Sequence, residues 1–225
     1  MQVVKSTVQA VKIAPLGLSG DLVVPEHAKG IVLFAHGSGS GRHSPRNRYV
    51  ADVLQRGGLG TLLLDLLTEA EEQVDLESGH LRFDIDLLAK RLLDATDWLQ
   101  RQPAGRNMSI GYFGASTGAG AALVAAAERP SLIGAIVSRG GRPDLAGSEL
   151  PRVKAPTLLI VGSEDREVIE LNRSAFTTLR CEKKLSIVQG ATHLFEEPGT
   201  LEEVSILARN WFRQNLKHEA QHGGA

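Results

Sequence analysis

The sequence predicts one α/β domain built on a single, mostly parallel sheet flanked by helices. Short continuous apolar runs rich in Val, Ile and Leu recur along the chain, as strands buried on both faces of a parallel sheet require. Between them lie longer stretches with apolar residues three and four apart, so strands and helices alternate. With 225 residues, 42% apolar and 23% charged, the chain can bury one sizeable core and is too short for two large domains.

Residues 3–13 and 20–24 read as an opening antiparallel hairpin. The run Gly30-Ile-Val-Leu-Phe-Ala35 is the first fully buried strand, and further core strands are expected at 60–64, 108–113, 132–137, 157–161 and 184–188. Ile85, Leu88, Leu92, Ala95 and Leu99 place one apolar stripe on a helix over 84–100. A last helix is expected to open with the capping-box pattern Thr200-Leu-Glu-Glu203 and to run to Lys217, with Leu201, Val204, Ala208, Trp211 and Phe212 on its buried side. Residues 1–217 then form the domain and the polar 218–225 a disordered tail. Two connections, 65–83 and 138–155, are longer than a simple turn and are placed to overhang a site. No repeat of 20 to 50 residues is present.

Charge and cysteine content narrow the function. Lys plus Arg (25) nearly cancels Asp plus Glu (26), so no general field draws in nucleic acid or an anionic membrane. Lys5, Gln9 and Lys12 interrupt the N-terminal apolar stretch and no run of 18 apolar residues exists, so neither a signal peptide nor a membrane span is expected. The single Cys181 cannot form an intrachain disulfide, and a cytoplasmic location is the expectation. Nothing in the sequence assigns an oligomeric state.

The chemistry centres on Gly114-Ala115-Ser116-Thr117-Gly118, a G-x-S-x-G between a strand and an alanine-rich helix. A sharp strand-to-helix turn projects the serine hydroxyl above the sheet, and the glycines remove the Cβ atoms that would collide across it. A serine hydroxyl needs a histidine base and an orienting carboxylate, which follow in that order as Asp165 and His193, each just after a strand. Glu164 and Asp144 are the competing carboxylates. Strand carboxyl ends collect ligand sites in open α/β sheets, so the three can converge. For an oxyanion the backbone N–H of Thr117 is the first donor, and that of Ser38 in His36-Gly-Ser-Gly-Ser-Gly41 the second, with Gly39 as alternative. His36 reads as a support for that loop. Arg42, Arg46, Arg139 and Arg142 lie in two loops beyond strand ends, where they either bind a substrate carboxylate or phosphate or brace the loops.

On the strand into His36-Gly37, the Ser116 motif, Gly162-x-x-Asp165 and His193, the chain resembles the α/β-hydrolases, in particular the dienelactone-hydrolase-like group of small bacterial serine esterases. It is most similar to short members that carry stretches such as Arg42-His-Ser-Pro-Arg-Asn47 and Ser138-Arg-Gly-Gly-Arg-Pro-Asp144. The resemblance implies an eight-stranded sheet without a large cap, and ester or lactone hydrolysis through an acyl-enzyme with no cofactor. Dienelactone hydrolases themselves use cysteine at the elbow, whereas Ser116 stands here, which points to general carboxylesterase activity, and the 4% aromatic content with no inserted cap points to small or short-acyl substrates. A thioesterase, a lactonase, or a non-catalytic module that binds an anionic ligand through the four arginines are the alternatives. No G-x-x-x-x-G-K-[ST] or G-x-G-x-x-G supports a nucleotide cofactor. The His218-Glu-Ala-Gln-His222 pattern is read as coincidence, since only Gly-Gly-Ala follows to offer a third zinc ligand.

Overall fold

A computed structural model describes residues 7–216. Eight strands form one sheet in the order β1-β2-β4-β3-β5-β6-β7-β8. They are β1 (Gln9–Ile13), β2 (Leu18–Val23), β3 (Gly30–Ala35), β4 (Gly60–Leu64), β5 (Ser109–Ala115), β6 (Ile133–Arg139), β7 (Thr157–Gly162) and β8 (Lys183–Val188). The hairpin β1–β2 is antiparallel and joins the rest through an antiparallel β2–β4 pair. Every other pairing is parallel, so β3 to β8 all deliver their carboxyl ends to one rim.

Two apolar layers cover the sheet. On one face Ile31, Leu33 and Tyr112 meet α3 (Ile85–Arg101) and α4 (Thr117–Glu128), joined by Ala175 of α5 (Arg166–Thr178). On the other, Val32, Phe34 and Phe113 meet α1 (Pro45–Arg56) and α6 (Thr200–Asn215). The alternation of neighbouring residues between the two layers is the period-two geometry of a strand, and both sets are apolar because both faces are covered. α4 is buried from Thr117 through Ala127, so it is apolar all round and small enough to lie close to β5. The Tyr112 hydroxyl, fully buried at the centre, shares a hydrogen bond of 2.7 Å with Thr96 Oγ1.

The expected core strands, the second hairpin strand and the 84–100 helix match to within two residues, whereas the first hairpin strand, expected over 3–13, begins only at Gln9, residues 1–6 lying outside the described residues. The capping box at Thr200 does not form. Gly199 takes the cap position in a left-handed conformation, while Thr200 lies inside the helix and donates to the Glu197 carbonyl. The reciprocal box occurs instead at Thr68 and Glu71, at the start of α2 (Glu69–Ser78), within the acidic 65–83 connection. A short 3-10 turn, Leu81–Phe83, completes that connection, and another, Pro143–Arg152, fills most of 138–155. Arg46 is therefore in the first turn of α1 and Arg139 ends β6, so neither is a loop residue. Lys217, the expected tail 218–225 and the His218–His222 pattern lie outside the described residues. No helix among the described residues is long and apolar enough to cross a membrane.

Candidate active site

β5 leads directly into Ser116, which has φ 50° and ψ −123° and precedes the first residue of α4. Three backbone neighbours hold this strained turn. The Ser116 N–H donates to the Arg139 carbonyl at 3.3 Å, and the Ser116 carbonyl accepts from the Arg142 and Ala119 N–H groups, both at 3.0 Å. The 139–142 backbone thus clamps the elbow, a role the residue types alone do not reveal. Glycine is needed around it: a Cβ at Gly114 would lie 2.4 Å from Ala119 Cα, and one at Gly118 would lie 2.2 Å from the Ala35 carbonyl oxygen. The loop after β3 abuts the elbow as well, since a Cβ at Gly37 would come 3.0 Å from Ser116 Cβ.

Asp165 and His193 come together as expected: His193 Nδ1–H donates to Asp165 Oδ2 at 2.6 Å, with the two side chains 39% and 14% exposed. Backbone packing makes the meeting possible. The Glu164 N–H donates to the Ala191 carbonyl at 3.0 Å and the Gly190 N–H to Ser163 Oγ at 2.8 Å. At Gly162 a Cβ would lie 2.2 Å from the Ala191 carbonyl oxygen, so glycine is what lets the acid and histidine loops touch. Glu197 pins the histidine loop by accepting from the Thr192 N–H and hydroxyl, and these bonds hold its carboxyl below the ordinary carboxylate range. The competing carboxylates are engaged elsewhere, Glu164 by the Ser163 hydroxyl and Asp144 by a fork of bonds from Arg142. Among the described residues no hydrogen bond yet links Ser116 Oγ to the imidazole.

The two backbone N–H groups expected to face an oxyanion are placed differently. Thr117 N–H has no acceptor among the described residues, as an anion site at a helix start requires. The Ser38 N–H, however, donates to Thr117 Oγ1 at 3.0 Å. The threonine hydroxyl accepts this bond and keeps its own proton to donate. Gly39, with φ +69°, forms the tip of the turn closed by the Ser40 N–H on the Gly37 carbonyl. His36 is buried beneath it; Nδ1–H donates to the Gly37 carbonyl at 3.0 Å and Nε2 accepts from the Leu66 N–H at 3.1 Å. Next to this loop is a cavity of about 240 Å³ whose lining includes Ser38, Leu67, Gln73, Leu76 and Leu88.

The four arginines separate into two kinds. Arg42 pairs with Asp65 through both its side chain and its backbone N–H, and Arg142 is forked onto Asp144, so these two brace loops. Arg46 reaches the exposed Glu196 at 2.9 Å but leaves Nε buried with no hydrogen-bond partner among the described residues. Arg139 is 7% exposed, and its Nε and Nη1 have no hydrogen-bond partner among the described residues. Its guanidinium lies 5.8 Å from the centre of the Phe195 ring, and burial together with the Arg46 charge pushes its pKa down to about 10. Among the described residues no group of three His, Cys, Asp or Glu side chains gathers as a metal ion would need.

The model of the dienelactone hydrolase family matches residues 48–215. A dienelactone hydrolase of known structure from Anabaena variabilis is 60% identical, with a TM-score of 0.91 over 95% of this chain and 99% of its own. Est1E from Butyrivibrio proteoclasticus, at 15% identity, shares the fold with a TM-score of 0.76 over 93% of this chain and 99% of its own. A Mycobacterium tuberculosis protein provisionally named a phosphoribosyl transferase is 58% identical over 202 residues, 90% of this chain. The match takes in 45% of that relative, so the chain spans less than half its length.

Proposed function

The chain belongs to the dienelactone hydrolase family, and from that premise we propose that it is a cofactor-free serine hydrolase that cleaves small carboxylic esters through an acyl-enzyme. The observation that carries the reading is the strained Ser116 on the same rim of the sheet as the bonded Asp165–His193 pair. Ser116 Oγ attacks the ester carbonyl carbon while its proton passes to His193 Nε2. Asp165, holding Nδ1–H, fixes the tautomer that leaves Nε2 free and stabilises the imidazolium. The Thr117 N–H and hydroxyl meet the tetrahedral oxyanion, with Ser38 N–H anchoring the hydroxyl. Collapse breaks the bond to the alcohol, which leaves with the proton from His193. Water, deprotonated by the same imidazole, then attacks the acyl-enzyme, releasing the acid and restoring Ser116.

The cavity of about 240 Å³ beside the oxyanion loop is smaller than the roughly 300 Å³ at which drug-sized sites begin, which supports a short acyl group. The transferase name belongs to proteins of which this match takes in 45%, so it describes a longer chain than this one. Fluorophosphonate labelling followed by peptide mass spectrometry tests the mechanism without knowledge of the substrate. A single adduct on Ser116, weakened by His193→Ala, is expected, and Ser116→Ala lowers turnover of a short-acyl ester by about 10⁴-fold or more while the protein stays folded. Equal turnover in Ser116→Ala overturns the reading.

A further inference from the structure

We propose that Asn172 is a positioning residue for Ser116, tying the helix that carries the acid to the backbone segment that holds the nucleophile. This rests on the serine-hydrolase reading and adds to it a residue outside the Ser116, Asp165 and His193 set. The buried face of α5 consists of Val168, Asn172 and Ala175, spaced as an apolar stripe is, and the fully buried Asn172 occupies its middle. For stability alone an amide there is a poor choice. Asn is a weak helix former, and its Oδ1 is buried with no hydrogen-bond partner among the described residues. Such departures from local preference collect where function requires them.

What the amide holds is the elbow clamp. Asn172 Nδ2 donates to the Gly141 carbonyl at 2.9 Å and to the Val168 carbonyl at 2.8 Å. Both partners are acceptors, so the amide can face them only with its nitrogen, and both of its protons are used. The Val168 bond stays within α5, whereas the Gly141 bond leaves it. Gly141 belongs to the 139–142 segment, whose Arg139 carbonyl and Arg142 N–H take the N–H and the carbonyl of Ser116. The same segment abuts the base, since a Cβ at Gly140 would lie 3.0 Å from the His193 carbonyl oxygen and 3.6 Å from Nδ1. α5 itself starts directly after Asp165, its N-cap residue. One side chain therefore joins the acid's helix to a segment in contact with both nucleophile and base. The Asp165–His193 bond already fixes acid against base. Ser116 has no such side-chain bond to the imidazole among the described residues, so its place relative to the pair is set through the backbone clamp. A drift of about 1 Å between reacting groups can cost about a hundredfold in rate.

Acylation of Ser116 by p-nitrophenyl acetate, followed in single turnovers, gives the rate constant of the step and the half-saturating concentration separately. Asn172→Leu, which keeps the volume and removes both donors, should acylate about tenfold to a hundredfold more slowly, with half-saturation within twofold of wild type. Asn172→Ala, a good helix former, should behave likewise and serves if the leucine variant fails to fold. Asn172→Gln keeps the amide and should retain part of the rate. Phe212→Ala, which loosens the core on the other side of the sheet, should acylate at the wild-type rate. A rate constant within twofold of wild type in folded Asn172→Leu or Asn172→Ala, or an equal fall in Phe212→Ala, overturns the proposal. Failure of the hydrolase reading looks different, because the wild-type protein then forms no acyl-Ser116. Amide hydrogen exchange at Ser116 and Arg142 decides the tie in that case: it should quicken at least tenfold in Asn172→Leu, and unchanged exchange overturns it.

Discussion

His36 shows how one side chain ties the site to pH. Its Nε2 accepts from the Leu66 N–H, so a second ring proton would face a donor, and burial lowers its pKa below the ordinary 6.5 despite the Gly37 carbonyl and the Asp65 carboxylate. Below about pH 6.5 the unfolded chain protonates this ring while the folded protein does not. The unfolded state then binds more protons, so the contribution is complete above pH 6.5 and declines as pH falls from there toward the folded value. Urea midpoints at pH 7.5, 6.5 and 5.5 should fall with pH more steeply in the wild type than in His36→Gln, by at most about 1.4 kcal/mol per pH unit. Parallel slopes would refute the assignment. The residue types at Ser116, Asp165 and His193 were legible in the sequence because each follows a strand end. Which arginine is free was not, since Arg42 meets its partner Asp65 across 23 residues of chain and Arg46 meets Glu196 across 150.

Among the elements, the elbow depends on how closely α4 approaches β3. A Cβ at Gly118 would lie 2.2 Å from the Ala35 carbonyl oxygen and 2.5 Å from that of His36, and both are backbone atoms that cannot rotate aside. Gly118→Ala is therefore expected to push the start of α4 away from the sheet, to lower stability by about 3 kcal/mol, and to abolish fluorophosphonate labelling of whatever protein remains folded. Thermal melting and the labelling assay check the two effects, and a labelled, wild-type-like variant would contradict them. Strands were easy to read at this scale because burial on both faces leaves uninterrupted apolar runs such as Gly30–Ala35. α2 was hidden because it carries Glu69, Glu71 and Glu72 in its first turn and buries only Asp75, so it has no apolar stripe. The Thr200 pattern misled because Gly199 can take a left-handed cap, and three letters of sequence do not show which residue the chain bends at.

Across the whole molecule, stability and chemistry occupy different parts of the sheet. The strand interiors hold the two apolar layers, while every proposed catalytic group lies beyond a carboxyl end on one rim. Phe212 of α6 is fully buried, and its ring fills the space where a Cβ at Gly111 would lie 2.8 Å away. Gly111 precedes Ser116 by five strand residues, about 16 Å at the usual rise. Phe212→Ala leaves a cavity in the α1–α6 layer and should cost about 3 to 5 kcal/mol, lowering Tm by about 10 °C. Because α6 supplies none of the proposed catalytic groups, kcat per active site, counted by fluorophosphonate titration, should stay within twofold of wild type below the transition. A proportional fall in kcat per titrated site would mean instead that the α1–α6 layer sets the geometry of Ser116, and that the core and the site are one cooperative unit.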